Sequence, residues 1–245
     1  MKKAWYLGLT EEDIGDRAIL IGDPDRVNRL SQMLTDPVFH PVSRGLKSAT
    51  GTYNGRRVTL AAFGMGAPIA TIVLHELADL GISRFLRIGT AMYFPPAVGG
   101  DYLISETAIG FEGTSPAYAG NSGPFAADTK LTSSLQRAAS NTGFGARLGC
   151  YATFDAFYRD MFGIDEQGQE RAAENRRMLA EKQVLAVDME TSALLAAASA
   201  LNVACATLCL GTVDALSQEK LAADLLSTGE KHLFKIALDG LASLE

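Results

Sequence analysis

The sequence predicts an α/β protein whose single-domain, mixed and mostly parallel twisted sheet is flanked by helices. Short apolar strand segments alternate with helical segments, glycines stand where strands end, and neither a linker nor an internal repeat divides the chain. Such alternation is typical of a sheet covered on both faces, which binds its ligands at the carboxyl ends of strands. Residues 1–245 are therefore expected to form a single domain of this kind.

Apolar runs bounded by turn residues predict strands in the first half of the chain. They cover 18–21, 57–63, 83–88 and 101–107. Val27, Leu30 and Leu34 have helical spacing and predict a helix over 25–34, and a second helix over 68–80 ends at Gly81. The segment 110–124 is rich in Gly, Ser, Pro and Tyr, so we expect a flexible loop that lines a site.

The second half of the chain repeats the alternation. A charged segment over 165–182 predicts a solvated helix, and an alanine-rich segment over 191–201 predicts a buried one. Apolar strands are expected over 184–187 and 204–210, and a last helix over 229–244. Asp214 follows the second of these strands and is expected at its carboxyl end.

Composition excludes several classes of partner. The formal charge of −6 argues against nucleic acid, whose binding relies on clustered Lys and Arg. No apolar run approaches the roughly 20 residues of a membrane-spanning helix. Cys150, Cys205 and Cys209 form no CxxC pair, which favours a reducing cytoplasm and gives no reason to expect a metal site or a disulfide.

Two segments predict a phosphate pocket. Gly22-Asp23-Pro24-Asp25-Arg26 and Arg87-Ile88-Gly89-Thr90 each join an apolar strand to a glycine with an arginine close by. Guanidinium and backbone N–H groups together suit one oxyanion. The first segment alone is equally compatible with a simple turn. Arg87 lies in a buried-looking strand and needs an anionic partner, for which Glu76 and a bound ligand are both candidates.

The order of segments resembles the nucleoside phosphorylase family, which includes uridine phosphorylases and hexameric purine nucleoside phosphorylases. The resemblance covers almost the whole chain. Besides the two segments above, it is carried by Leu7-Gly8-Leu9-Thr10, Gly64-Met65-Gly66-Ala67-Pro68, Glu76-Leu77, Asp155-Ala156-Phe157-Tyr158 and Asp188-Met189-Glu190-Thr191. It implies phosphorolysis of a nucleoside to free base and ribose 1-phosphate, with inorganic phosphate as co-substrate and no metal or organic cofactor.

The resemblance also implies a phosphate-binding set and an assembly. The phosphate-binding residues would be Gly22, Arg26, Arg44, Arg87 and Thr90. Arg44 would reach the site of a neighbouring subunit, which implies a homodimer with shared sites and further assembly into a hexamer. A solvated loop arginine is the alternative for Arg44.

A nucleoside-binding set follows from the same resemblance. Its members would be Tyr6, Phe157, Asp188, Met189, Glu190 and Asp214. Met189 and Glu190 would hold the ribose, although an acid at Glu190 also suits the first turn of a helix. Phe157 would pack on base or sugar, and a core Phe would look the same. Arg87 and Asp214 would be the catalytic residues, with Asp214 acting at N7 of a purine.

Some positions depart from the family pattern. Met92 stands where relatives commonly have a glycine near the base, and we expect its side chain to crowd that site. Tyr6 stands where relatives often have a histidine that touches the ribose 5′-hydroxyl from the adjacent subunit. Gly45 replaces a cation-binding glutamate, so no monovalent cation is predicted. Gln169 and Arg171 resemble the uracil-binding pair of uridine phosphorylases but are expected on an exposed helix.

Three functions therefore remain open at this stage. The first is a nucleoside phosphorylase, with purine nucleosides slightly favoured over uridine. The second is a nucleosidase of the same fold, which would leave Arg26, Arg44 and Arg87 without a phosphate to bind. The third is a non-catalytic nucleoside-binding relative, which Met92 suggests.

Overall fold

The computed structural model describes residues 2–143 and 145–244. Among them the strands are β1 (Arg17–Ile21), β2 (Thr35–Phe39), β3 (Ser48–Tyr53), β4 (Arg56–Ala62), β5 (Arg84–Tyr93), β6 (Tyr102–Phe111), β7 (Phe125–Ala126), β8 (Ala146–Phe154), β9 (Val184–Asp188) and β10 (Ala204–Asp214). The helices are α1 (Pro24–Ser31), α2 (Ala67–Asp79), α3 (Thr114–Ala119), α4 (Thr129–Asn141), α5 (Glu166–Glu181), α6 (Thr191–Leu201) and α7 (Ala223–Ala242). A 3₁₀ turn covers Glu11–Asp13 and a π-helical turn covers Tyr158–Phe162.

All of these strands belong to one mixed sheet, as predicted. Its order is β10-β6-β8-β9-β5-β1-β4-β3-β2, with β7 paired to β6. Parallel pairs join β1 to β4 and β5, β5 to β10, and β8 to β6 and β9, whereas β2–β3, β3–β4, β5–β9, β6–β7 and β6–β10 are antiparallel. Because β10 also pairs with β5, the strands β5, β10, β6, β8 and β9 close into a ring.

The parallel core of the sheet explains why most residues of its central strands are apolar. Every residue of β1 and β9 is buried, as expected for strands covered on both faces. β1 runs directly into α1, which begins with Asp23 as N-cap and Pro24 in its first turn. The Asp23 side chain accepts the backbone N–H of Asp25 at 2.9 Å. The carboxyl end of β1 is thus fixed against the start of a helix.

Two expectations about local structure need correction. The segment 110–124 is not wholly a loop, because α3 forms within it. Glu112, just before this helix, accepts the backbone N–H groups of Thr114 and Ser115 and so supplies the partners that the helix start lacks. The strand expected over 204–210 continues to Asp214, which is therefore its last residue and does not follow it.

The described helices include none that is long and apolar enough to cross a membrane. Buried apolar side chains form a large core on the sheet and a second, smaller cluster. The second cluster contains Met92, Phe94, Ala152, Phe154, Met161, Leu179, Val184, Val187 and Ala215. We call it the β5–α5 cluster, because it lies between the end of β5 and α5.

Candidate active site

Glycine-rich turns at the carboxyl ends of β1 and β4 approach each other closely. A Cβ atom on Gly22 would lie 3.1 Å from the carbonyl oxygen of Gly64, so a larger residue at Gly22 would displace the neighbouring turn. Gly66 has φ +103°, which favours glycine, and its N–H donates to Glu190 Oε1 at 2.8 Å. The turn after β4 therefore connects Gly22 with the start of α6.

Arg87 lies at the centre of this region and is only 5% exposed. Its Nη1 is 3.1 Å from Asp188 Oδ2, and its Nη2 donates to Glu190 Oε2. Nη1 also donates to Cys209 Sγ at 2.7 Å. Among the described residues none accepts a hydrogen bond from its buried Nε. A buried donor without a partner is uncommon, and an anionic acceptor would satisfy it.

Glu76 is not the partner of Arg87, so that alternative was wrong. Its carboxylate accepts the backbone N–H of Tyr6 at 2.6 Å and that of Leu7 at 2.9 Å. Glu76 thus fixes the N-terminal segment on α2. The charge that Arg87 requires comes from the segment that follows β9, at Asp188 and Glu190.

Burial and charge act in opposite directions on this cluster. Burial alone would lower the pKa of Arg87, but the Cys209 sulfur and the carboxylates of Glu190 and Asp188 raise it well above its usual value. Burial raises the pKa of Glu190, Arg87 lowers it and Asp188 raises it, and the net direction is upward. Burial raises the pKa of Cys209 to about 11, so this thiol is neutral near pH 7.

Gly89 provides the space that the Arg87 side chain occupies. A Cβ atom at Gly89 would lie 3.1 Å from Cζ, Nη1 and Nη2 of Arg87. The guanidinium group therefore lies directly over this glycine. The glycine of the Arg87-Ile88-Gly89-Thr90 segment has a steric role that the sequence alone did not reveal.

Asp188 is buried beneath Arg87 and has its partners inside the protein. Its Oδ1 accepts the hydroxyl of Thr153 at 2.9 Å and the backbone N–H of Thr191 at 3.1 Å, while its Oδ2 accepts the Thr191 hydroxyl. These bonds hold the start of α6 and keep one carboxylate oxygen against Arg87. Its predicted contact with a nucleoside stays a prediction.

Arg26 is paired with a residue that no sequence pattern indicates. Its Nε donates to Glu230 Oε1 on α7 at 2.5 Å, and the side chains are 13% and 15% exposed. The two residues are 204 positions apart, so local spacing carries no signal of the pair. Gly22 and Arg26 stand at the start of α1 as predicted, and the ion pair adds α7 to the region.

Arg44 and Tyr6 contact each other within one chain. The Arg44 guanidinium carbon lies 5.0 Å from the centre of the Tyr6 ring, in a cation–π contact. Arg44 has φ +53°, a backbone conformation uncommon for a residue with a side chain. Both residues were predicted to serve a neighbouring subunit, and the structure places them side by side.

Three more of the predicted site residues, one for phosphate and two for the nucleoside, lie in strands or just after them. Thr90 is half-buried in β5 and pairs with Leu210 of β10, and Met189 is half-buried between β9 and α6. Asp214 pairs with Tyr93, and its Oδ1 accepts the backbone N–H groups of Leu216 at 2.7 Å and Ser217 at 2.9 Å. One oxygen of Asp214 thus stabilises the turn after β10.

Aromatic and apolar side chains near the end of β5 pack against one another. Met92 is only 2% exposed and packs in the β5–α5 cluster, and its expected crowding of the base site stays a prediction. Phe157 packs on this cluster from the edge. Phe154 stacks on Phe111 with 4.6 Å between ring centres, where β6 and β8 end. Sequence reasoning missed this stacked pair.

Gln169 and Arg171 lie on the exposed surface of α5, as predicted. Arg171 Nη2 is 2.9 Å from Asp160 Oδ1, and the Arg171 side chain is 59% exposed. Within the described part of the chain, His, Cys, Asp and Glu form no group of three or more that could hold a metal ion.

Comparison with known proteins agrees with this geometry. The family model described as the phosphorylase superfamily matches residues 16–235. Uridine phosphorylase of Escherichia coli K12 is 29% identical over 98% of this chain and 97% of its own length. Uridine phosphorylase of Haemophilus influenzae is 31% identical over 82% of each chain. Guanosine phosphorylase of Halorubrum lacusprofundi is 30% identical over 87% of this chain and 84% of its own length.

The matched region contains both predicted phosphate segments, the Arg87 cluster and Glu230, and thus every part of the site described above except Tyr6. The expected resemblance is confirmed. The chain belongs to the phosphorylase superfamily, in its family of nucleoside phosphorylases.

Proposed function

We propose that this nucleoside phosphorylase cleaves purine nucleosides to the free base and ribose 1-phosphate. The observation that carries the proposal is the buried Arg87, whose Nε has no acceptor among the described residues while its terminal nitrogens are held by Asp188 and Glu190. A phosphate oxygen is a suitable acceptor for such a donor. The supporting carboxylates fix the guanidinium before the substrate arrives.

Phosphate binds between the turn after β1 and the end of β5. Gly22 allows close approach, Arg26 and Arg87 supply positive charge, and the Thr90 hydroxyl and N–H donate to the anion. Arg44 from the neighbouring subunit completes the pocket. This arrangement needs a homodimer with shared sites, and we extend the proposal to a hexamer of three such dimers.

The sugar lies against Met189 and Glu190. Glu190 accepts hydrogen bonds from vicinal ribose hydroxyls while it stays paired with Arg87, so the same carboxylate links the sugar to the phosphate side. Met189 gives an adaptable apolar surface and Phe157 packs on the base or sugar. Tyr6 of the neighbouring subunit reaches the ribose, and Asp188 acts beneath Arg87.

The chemical step is a displacement at C1′. A phosphate oxygen forms a bond to C1′ while the glycosidic C1′–N bond breaks, and the bonding electron pair leaves with the base. The sugar passes through a state with oxocarbenium character, which the bound anion stabilises. Asp214 supplies a proton or a hydrogen bond to N7 of the departing purine. The arginines provide the positive charge, so the reaction as proposed requires no metal or organic cofactor.

The preference for purines rests on Asp214 and on the surface position of Gln169 and Arg171. Asp214 is half-buried at the end of β10, and its Oδ1 alone is used by the following turn. Gln169 and Arg171, which would favour uridine if they entered the site, are exposed. Uridine is the second candidate, because uridine phosphorylases are among the relatives similar to this chain over most of its length.

The enzyme would act in nucleoside salvage in the cytoplasm. Cys150, Cys205 and Cys209 are free thiols, and two of them are buried, which suits a reducing compartment. Both substrates are small molecules, and the proposal includes no nucleic acid or membrane partner.

Release of free base from inosine, adenosine, guanosine and uridine, with and without phosphate, tests the proposal. We expect release that depends on phosphate and is fastest with a purine nucleoside. Release without phosphate would support a nucleosidase, no release would support a binding protein, and faster cleavage of uridine would support the second candidate.

Asp214→Asn tests the base assignment in the same assay. The Asn side-chain oxygen can still accept the N–H groups of Leu216 and Ser217, so the turn is preserved while the acid is lost. We expect a loss of about 10²-fold or more in purine cleavage and a much smaller loss with uridine. Equal losses would contradict a role at N7.

A further inference from the structure

Four charged side chains tie the start of α1 to α7. Glu230 accepts Arg26 Nε at 2.5 Å with one oxygen and Arg29 Nε at 2.9 Å with the other. Arg29 Nη2 also reaches Asp23 Oδ2 at 3.1 Å. Asp23 directly follows Gly22 and caps α1. The network therefore lies immediately beside the proposed phosphate site.

The geometry of Arg26 leaves its outer nitrogens available. A guanidinium group carries five N–H donors, and Glu230 engages the one on Nε. Among the described residues, only Glu230 accepts a hydrogen bond from the Arg26 side chain. The N–H groups on Nη1 and Nη2 can therefore form a bidentate contact with an oxyanion. Because Arg29 also pairs with the Glu230 carboxylate, the negative charge of Glu230 is shared between two arginines and does not fully cancel the charge of Arg26.

The helix that carries Glu230, α7, is attached to the rest of the protein at several points. Near the C-terminal end of α7, the fully buried Arg17 donates to the carbonyl oxygens of Leu241 at 2.8 Å and Leu244 at 3.0 Å. Tyr53 donates to Asp239 at 2.7 Å. Next to Glu230, a Cβ atom on Gly229 would lie 2.8 Å from the Leu210 side chain, so α7 packs tightly on β10 there.

From these contacts we propose that Glu230 is a positioning residue, which holds Arg26 in the orientation that binds phosphate. The inference rests on the proposed phosphate role of Arg26 and deepens it. An arginine side chain without this carboxylate would have to be ordered by the phosphate itself, at a cost in binding free energy. Glu230 acts through Arg26 and does not touch the substrate.

Steady-state kinetics of Glu230→Ala and Glu230→Gln test the proposal, with phosphate and nucleoside varied separately. For Glu230→Ala we expect the KM for phosphate to rise about tenfold or more, while kcat and the KM for the nucleoside change much less. Glu230→Gln keeps an oxygen that can accept from Nε and should recover part of the loss. The control is Asp224→Asn, an exposed acid of the same helix.

A double variant separates positioning from a general structural effect. If Glu230 acts only through Arg26, the KM for phosphate of the Arg26→Ala, Glu230→Ala double variant should equal that of Arg26→Ala. The melting temperatures of all variants are measured alongside. If Glu230→Ala does not fold, the KM for phosphate of Glu230→Gln is compared with that of the Arg26→Ala variants, and this comparison tests the proposal.

Three results would overturn the proposal. The first is an unchanged KM for phosphate in Glu230→Ala. The second is a lower KM for phosphate, which would mean that Glu230 competes with phosphate for Arg26. The third is an equal rise in KM for phosphate and for the nucleoside, together with a lower melting temperature. If the unmodified enzyme released base without phosphate, the proposed function itself would fail, which is a different outcome from a failure of Glu230 alone.

Discussion

Arg87 and Met92 lie on the same strand, β5, yet their surroundings differ completely. Arg87 is held by the charged side chains of Asp188 and Glu190, and Arg26 nearby is held by Glu230. Met92 packs in the apolar β5–α5 cluster. Ion pairs depend on geometry within tenths of an ångström, whereas apolar packing tolerates changes of shape if volume is kept. The proposed phosphate side would therefore be specified by charge and the proposed base side by packing.

The largest effect that tests this contrast is expected for Arg87→Lys. Lysine keeps the charge but loses the fork that engages Asp188, Glu190 and a phosphate together. We expect kcat/KM for phosphate to fall about 10²- to 10³-fold, as when one preorganised donor is removed from an active site. Phosphate-dependent initial rates measure the loss.

The control for Arg87→Lys is Arg56→Lys, at an exposed arginine that begins β4. Equal phosphate kinetics in wild type and Arg87→Lys would remove Arg87 from the phosphate site.

A smaller effect of a different kind is expected for Met92→Ala on the base side. Removing a buried methionine side chain costs about 2–5 kcal/mol of unfolding free energy. The shortened side chain opens space behind Thr90, so the ratio of kcat/KM between inosine and uridine should change while the KM for phosphate stays the same. Denaturant unfolding and the nucleoside panel measure the two effects.

Met33→Ala is the control for Met92→Ala, because Met33 is a half-buried methionine that packs on the main core and lies outside the β5–α5 cluster. The contrast between the two sides would break if Met92→Ala raised the KM for phosphate and left nucleoside selectivity unaltered.

Gly89→Ala should have a moderate effect confined to the phosphate side. The new Cβ would lie 3.1 Å from the Arg87 guanidinium, which is held by ion pairs and has little freedom to move. We expect the KM for phosphate to rise about three- to tenfold, with a stability loss near 1 kcal/mol. Kinetics and thermal unfolding check both.

Gly145→Ala serves as the control for Gly89→Ala, since no atom lies within 4 Å of a Cβ built there. Similar kinetics for the two variants would show that Arg87 adapts more readily than its ion pairs suggest.

The smallest effect concerns pH and Glu190. Burial and Asp188 raise its pKa above the usual 4.5, against the effect of Arg87. The folded protein then binds this proton more tightly than the unfolded chain, so the contribution to stability is full below pH 4.5 and falls as pH rises through the folded-state pKa. Glu190→Gln should remove this decline.

Denaturant unfolding, measured from below pH 4.5 to above the folded-state pKa of Glu190, gives the difference in unfolding free energy between wild type and Glu190→Gln. The exposed Glu170→Gln on α5 provides the reference for a surface carboxyl group. A gain in the stability of wild type relative to Glu190→Gln as pH rises would contradict this and would show that the Arg87 ion pair dominates over burial.

Sequence patterns were sufficient for elements whose residues carry their own signal. The buried strands β1 and β9 are short apolar runs, and α6 has the predicted bounds. β2 has five exposed residues including a proline, so its apolar pattern gives no strand signal. α3 depends on Glu112, whose capping bonds to the start of the helix are not visible in its composition.

The site was predictable only in part for a similar reason. The two glycine–arginine segments predict an anion pocket because, in each of them, the glycine and the arginine are only a few residues apart in the sequence. The partners of these arginines come from distant parts of the chain: Glu190 lies 103 positions from Arg87 and Glu230 lies 204 from Arg26. Only the folded sheet and helix α7 bring them together, which is why Glu76 was a plausible but wrong choice for Arg87.

The contact between Arg44 and Tyr6 has a consequence for mixed assemblies. If both side chains serve the adjacent subunit, a chain altered at Arg44 keeps its own Arg87 intact and impairs only its neighbour. Chains altered at Arg44 and chains altered at Arg87, each inactive alone, would then form hybrid dimers with one intact pocket. Activity regained on mixing the two inactive variants would show that each pocket takes Arg87 from one subunit and Arg44 from the other.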